Sequence, residues 1–132
     1  MRKRIYTENV SEPPEKTWSN MLVSDDLFFI SGFTSRANDG VTIEGANAYE
    51  QARVIFRKMV HYTEAAGASM NDILKLTIFV TDIADNKEVW RARAEVFQGD
   101  FPACSLVQVA ALATPEILVE IEGMGRIGCS AG

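Results

Sequence analysis

Glu120 and Glu122, two residues apart in the run LVEIEG, are the side chains best placed in this sequence to do chemistry. Alternate residues of a strand share a face, so Leu118, Glu120, Glu122 and Met124 fall together. Apolar neighbours that take a carboxylate partly out of water raise its pKa and suit it to moving a proton. A solvated pair of surface glutamates fits the same spacing, and the residues alone leave both readings open. Cys104 is the second candidate, because it opens a strand directly after Phe101-Pro102, at an element edge where function concentrates. A free cysteine is just as readily a small buried hydrophobe.

Other chemistries find no footing. His61 is the only histidine, on the polar side of a helical stretch, with no second histidine or cysteine at metal-ligand spacing. No metal is therefore expected, and a Cys-His hydrolase lacks an evident base. GxGxxG, Walker and GxSxG motifs are missing, so no nucleotide cofactor and no α/β-hydrolase elbow are expected.

Thirteen Lys and Arg against 18 Asp and Glu give a net charge of −5, which repels a phosphate backbone. The one basic cluster is Arg2, Lys3 and Arg4, a short solvated patch, so no nucleic-acid partner is expected. The start MRKRIYTENV has no apolar stretch of the secretory kind, and no apolar run nears the ~20 residues that span a bilayer. A cytoplasmic protein with reduced cysteines and no membrane partner is the expectation. At 132 residues the chain suits one domain over 1–132.

The elements that must position these residues follow from periodicity. WSNMLVSDDLFFISG, from Trp18 to Gly32, reads as a hairpin turning at Ser24, Asp25 and Asp26, and residues 34–45 as a loop. From Asn47, Ala48, Ala52, Ile55, Phe56, Met59, Thr63 and Ala66 fall on one helical face, and Gly67 closes that helix. Leu74, Leu76, Ile78 and Val80 alternate with Lys75, Thr77, Phe79 and Thr81 as a strand. Asp85 caps a second helix over 86–98, with Val89, Trp90, Val96 and Phe97 on one face and Gly99 at its end. Two strands, at 104–110 and 117–126, complete the order, with a further strand around Ile5.

This order predicts an α+β fold with both helices on one sheet face. The other face is then bare, and Phe79, Leu106, Leu118 and Met124 are candidates for it. An apolar patch of that kind is unusual on a monomer, so self-association is expected.

The segments QARVIFRKMVHYTEAAGASMNDILKLTIFVTDI, FPACSLVQVAAL and LVEIEG, in that order, resemble the reactive intermediate deaminase (RidA/YjgF) family nearly end to end. TWSNMLVSDDLFFISG resembles the family's opening hairpin. The resemblance implies a chorismate-mutase-like mixed sheet with two helices on one face, a homotrimer with a barrel-like core, and small-molecule clefts at the subunit interfaces. It also implies cofactor-free hydrolysis of imines and enamines such as 2-aminoacrylate.

Carried over residue by residue, the family's water-orienting glutamate is Glu120. Its Ser-Gly pair is Ser31 and Gly32, and Trp18 stands for its tyrosine. Cys104, followed by Ser105 and Leu106, stands where the family has the arginine that grips the substrate carboxylate. Phe33 replaces a usual glutamine and Trp90 a common asparagine.

Substrate-binding roles are therefore expected for Trp18, Ser31, Gly32, Phe33, Trp90, Ser105 and Leu106, and catalytic roles for Glu120 and Cys104. Arg93 and Arg36 are the arginines that could replace the missing one. A deaminase-type hydrolase for a bulkier or less anionic C–N compound is the leading expectation. The alternative is a trimer that binds a small molecule without turning it over.

Overall fold

A computed structural model describes residues 1–131. Its framework is a six-stranded mixed sheet formed by β1 (Arg2–Arg4), β2 (Met21–Ser24), β3 (Leu27–Phe33), β4 (Ile73–Val80), β5 (Ala103–Gln108) and β6 (Val119–Arg126), in spatial order β1-β2-β3-β6-β4-β5. Only β4 and β5 run parallel, and the crossover between them carries α2 (Asn86–Ala94). The longer helix, α1 (Ala48–Ala65), joins β3 to β4. The buried sides of both helices form one cluster with Phe28, Ile30, Phe33, Leu76, Ile78 and Ile121 of the sheet. The expected α+β fold with both helices on one face is the one observed.

Local chemistry sets the boundaries. Asn47 caps α1 by accepting from the Glu50 N–H at 2.9 Å, and Gly67, at φ +78°, ends it as the spacing predicts. Met21–Ser24 and Leu27–Phe33 turn through Asp25, held at φ +54°, a conformation that Asp tolerates better than most residues. Two polar residues, Gln51 and Tyr62, belong to the buried face of α1 although their side chains suggest otherwise. Gln51 bonds the carbonyls of Gly45 and Glu116 and accepts from the Leu118 N–H, so it ties the loop before β6 to the helix.

Three expectations need correction. The second helix stops at Ala94 rather than Gln98, and Phe97 enters the core from the turn that follows. Trp90 does not share the buried face of Val89: it is 45% exposed, and Ala92 takes that place. The Asp85 side chain makes no cap bond to α2, whereas Asp82 caps the short turn before it by accepting from the Ala84 N–H.

The bare face is real, but its composition differs from the expectation. Register sets Glu120 beside Phe79, Glu122 beside Thr77, and Met124 between Phe29 and Lys75. Phe29, Val107 and Met124 are each more than 40% exposed there. Leu106, in contrast, pairs with Ile78 and packs with Cys104 against the helix-side core, and Leu118 also packs against that core. No helix among the described residues is long and apolar enough to cross a membrane.

Candidate functional site

Glu120 stands on β6 with its carboxylate against the backbone of Gly32. A Cβ built on Gly32 would lie 2.6 Å from Glu120 Oε2 and 2.9 Å from its Cδ. Here glycine leaves space for the Glu120 carboxylate and is not required by φ. The register between β3 and β6 shifts between Ile30 and Phe33, a bulge that keeps both of those side chains in the core while Ser31 and Gly32 occupy the break. The Ser31 hydroxyl donates to the Ser19 carbonyl and its N–H to the Asn20 carbonyl, which pins the bulge to the chain entering β2.

Glu120 is half-buried, and burial first, then the charge of Glu122, holds its carboxyl above the usual range. Among the described residues no side chain or backbone N–H donates to that carboxylate. A half-desolvated carboxylate with free lone pairs can orient a water and accept its proton.

The other predicted site residues form a second group at the far edge of the sheet. Cys104, Ser105 and Leu106 lie on β5, separated from β6 by β4, and Trp90 lies on α2. Cys104 pairs with Leu76 on the helix side, half-buried, and among the described residues its Sγ has one hydrogen-bond partner, the neighbouring Ser105 carbonyl at 3.8 Å. The Ser105 hydroxyl, on the open face, accepts from Lys75 Nζ at 3.0 Å. Within one chain, therefore, Cys104 and Glu120 do not converge. Phe33 is 5% exposed and its ring packs on Tyr62 at 5.4 Å, so it is mainly a core residue.

Beside Gly32 a groove of about 540 Å³ opens between residues 10–20, the loop 34–40 and α1. Trp18, 53% exposed, forms part of its wall, with the indole N–H donating to Asn20 Oδ1 at 3.1 Å. The Asn20 side chain is fixed in turn by donating to Tyr62 Oη at 2.9 Å. Lys58 and Arg36 also line this groove. Sequence periodicity sets Lys58 on the polar side of α1, and nothing local signals that the 34–40 loop folds over it. Of the two arginines considered as replacements, Arg36 reaches this groove and Arg93 does not border it. His61 lines a smaller hollow nearby, and no group of three or more metal-ligating side chains exists among the described residues.

A mixed sheet of this order, two helices on one face and a glutamate set against a Ser-Gly bulge together define a protein of the YjgF/RidA type. Comparison with known proteins agrees. Residues 9–127 match the sequence model of the family described as Endoribonuclease L-PSP. The RutC family protein UK114 of Drosophila melanogaster is 30% identical over 128 residues, covering 97% of this chain and 91% of that protein. The 3-aminoacrylate deaminase RutC of Acinetobacter baylyi is 27% identical, covering 96% and 100%. The crystal structure of YyfA, a Rid-family protein of Yersinia pestis, superposes with a TM-score of 0.88 at 27% identity, covering 96% and 100%. The chain belongs to the RidA/YjgF family.

Proposed function

We propose that this protein is a Rid-type hydrolase acting on an imine, enamine or related C–N compound, with Glu120 positioning the water. The observation that carries the reading is the Glu120 carboxylate, half-desolvated, free of intramolecular donors and fitted against Gly32. The deaminase named among its relatives supports the reaction class. An imine carbon is already electrophilic, so the reaction needs no cofactor. Water adds its oxygen to that carbon while Glu120 takes one of the water's protons and passes it to the nitrogen, giving a neutral carbinolamine. The carbinolamine then collapses: Glu120 carries its hydroxyl proton to the nitrogen, the C–N bond breaks, a C=O bond forms, and ammonia or an amine leaves.

The site as read is completed by a homotrimer. One chain would bring Trp18, Ser31, Gly32 and Glu120, and its neighbour the β5 edge with Cys104, Ser105, Leu106 and the exposed Trp90. Cys104 supplies no charge for a carboxylate at that edge, so the substrate is bulkier or less anionic at that point than 2-aminoacrylate. Cys104 is then a wall of the cleft.

Ammonia release from a panel of enzymatically generated imines, compared between the wild type and Glu120→Ala, tests the assignment. Loss of release in the variant is expected, and unchanged release would remove Glu120 from the mechanism. The exposed Trp18 ring favours a second reading, binding without turnover. A ligand recovered unchanged with no ammonia formed would establish that reading instead.

A further inference from the structure

The groove beside Gly32 is lined by two cations, Lys58 and Arg36, that form no ion pair among the described residues. Lys58 Nζ donates to the Thr34 and Arg36 carbonyls at 2.8 and 2.6 Å, and Arg36 to the Gly40 carbonyl at 3.2 Å. Neither cation has a carboxylate within 4.0 Å among the described residues. An ammonium has three donors and a guanidinium five, so both keep N–H groups to offer.

The acidic residues of the same groove are already engaged. Glu12 pairs with Arg4 at 2.8 Å and accepts from Tyr62 Oη at 2.6 Å. Asp39 accepts from the Val41 and Thr42 N–H groups and the Thr42 hydroxyl, at 2.6 to 2.8 Å. Glu44, which borders the neighbouring hollow, attracts Lys58, and Asp39 attracts Arg36, both from beyond ion-pair range. Burial meanwhile pulls the Lys58 ammonium down to about 8, the mark of a cation short of compensating charge. Two cations and two carboxylates line the groove, but Glu12 is taken up by Arg4 and Asp39 by its Val41 and Thr42 bonds, which leaves Lys58 and Arg36 as the charged groups with donors to spare.

Beside polar groups of Ser11 and Asn38, the wall has an apolar and aromatic part made by Val10, Pro13, Pro14 and the indole of Trp18, whose edge is fixed through Asn20. A volume near 540 Å³ lies within the range of small-molecule sites. We propose that this groove binds a small carboxylate that also carries a flat ring or unsaturated face, with Lys58 and Arg36 holding the carboxylate and Trp18 covering the face. Gly32 separates the groove from Glu120, and Thr34, whose carbonyl Lys58 grips, lies about 7 Å further along the chain at the rise of an extended strand. Glu120 itself is not among the residues that line the groove. The proposal goes beyond the hydrolase reading and does not need Glu120 to be catalytic.

Phenylacetate and its neutral isostere phenylacetamide, titrated calorimetrically into the intact protein, test it. Phenylacetate should bind at least about 10-fold more tightly than the amide, the usual value of a charge-assisted contact. Arg36→Ala should lose about 10-fold for the acid and nothing for the amide, and Trp18→Ala should weaken both. Lys58→Ala leaves two carbonyls without a partner and can loosen the loop, so Arg36 carries the test. Equal affinity for acid and amide, undiminished phenylacetate binding by a folded Arg36→Ala, or no binding at about 10 mM would overturn the proposal. Glu120→Ala should bind phenylacetate like the wild type. A failed hydrolase reading is thereby distinguishable from a failed anion site.

Discussion

Replacing Gly32 by alanine adds one methyl group, and the structure says where it lands. That carbon would be 2.6 Å from Glu120 Oε2, 2.9 Å from its Cδ and 3.2 Å from its Cγ. To reach even the 3.4 Å edge of ordinary contact, the carboxylate must retreat by about 0.8 Å. What it meets is the far end of a flexible side chain, and Gly32 is not held at positive φ, so the backbone has no reason to move. Misplacing a reacting group by about 1 Å costs on the order of 100-fold in rate, equivalent to about 2.7 kcal/mol of transition-state stabilisation. Gly32→Ala should therefore lower kcat/KM by about 100-fold on whichever imine the wild type hydrolyses fastest, followed by ammonia release, while its melting temperature stays within a few degrees of wild type. Gly125→Ala is the contrast, since its methyl would lie 2.1 Å from the Asp72 carbonyl oxygen and 2.6 Å from Phe28 Cζ. Backbone cannot yield as a carboxylate can, and that variant should lose stability first. Full activity in Gly32→Ala, or a melting loss as large as that of Gly125→Ala, would refute the placement of Glu120.

Three further outcomes follow from the same geometry. Burial and Glu122 raise the folded-state pKa of Glu120, so the folded chain binds that proton more tightly than the unfolded chain, and the resulting stability is lost as pH rises through the folded pKa. Glu120→Gln should accordingly melt above wild type at neutral pH, with the gap closing toward about pH 4, as scanning calorimetry would show. Cys104→Arg restores a cation at the β5 edge and should raise ammonia release from 2-aminoacrylate by about 10-fold or more; no rise would mean that the edge has diverged beyond that contact. Light scattering at micromolar concentration should give three times the 14.6 kDa chain mass, falling toward one in Phe29→Lys, which sets a charge on the bare face; a monomeric wild type would remove the trimer.

Periodic segments were legible because their signal is local. The alternation of Leu76, Ile78 and Val80 and the repeat of Ala52, Ile55, Phe56 and Met59 each record one buried face, and each is buried. Gln51 and Tyr62 escaped because their polar atoms are satisfied by partners far along the chain, at Leu118 and Glu12. The same reason hides Lys58. Alternation shows that Cys104 and Leu106 share a face, but which face depends on their pairing with Leu76 and Ile78, and a lone strand carries no record of that. Glu120 was legible because alternation sets it with Glu122 and Met124 on one face and the run LVEIEG resembles the family's; Val119 and Ile121, the residues on either side, are buried on the other face.

That face also ties assembly to chemistry. Glu120 and Glu122 stand among Phe29, Phe79, Val107 and Met124, a surface too apolar to leave bare and too charged to bury freely. Covering it with other copies of the chain would remove further water from Glu120 and push its carboxyl higher, toward the range where a group can both take and return a proton near neutral pH. In the trimer proposed above, covering would also bring a neighbour's β5 edge toward a glutamate that its own β5 edge does not reach. Both effects have the same direction. Phe29→Lys, on the strand beside β6 and paired with Met124 four residues along from Glu120, should therefore depress ammonia release in step with the loss of assembly. Activity retained by a monomeric Phe29→Lys would show that one chain holds the whole site.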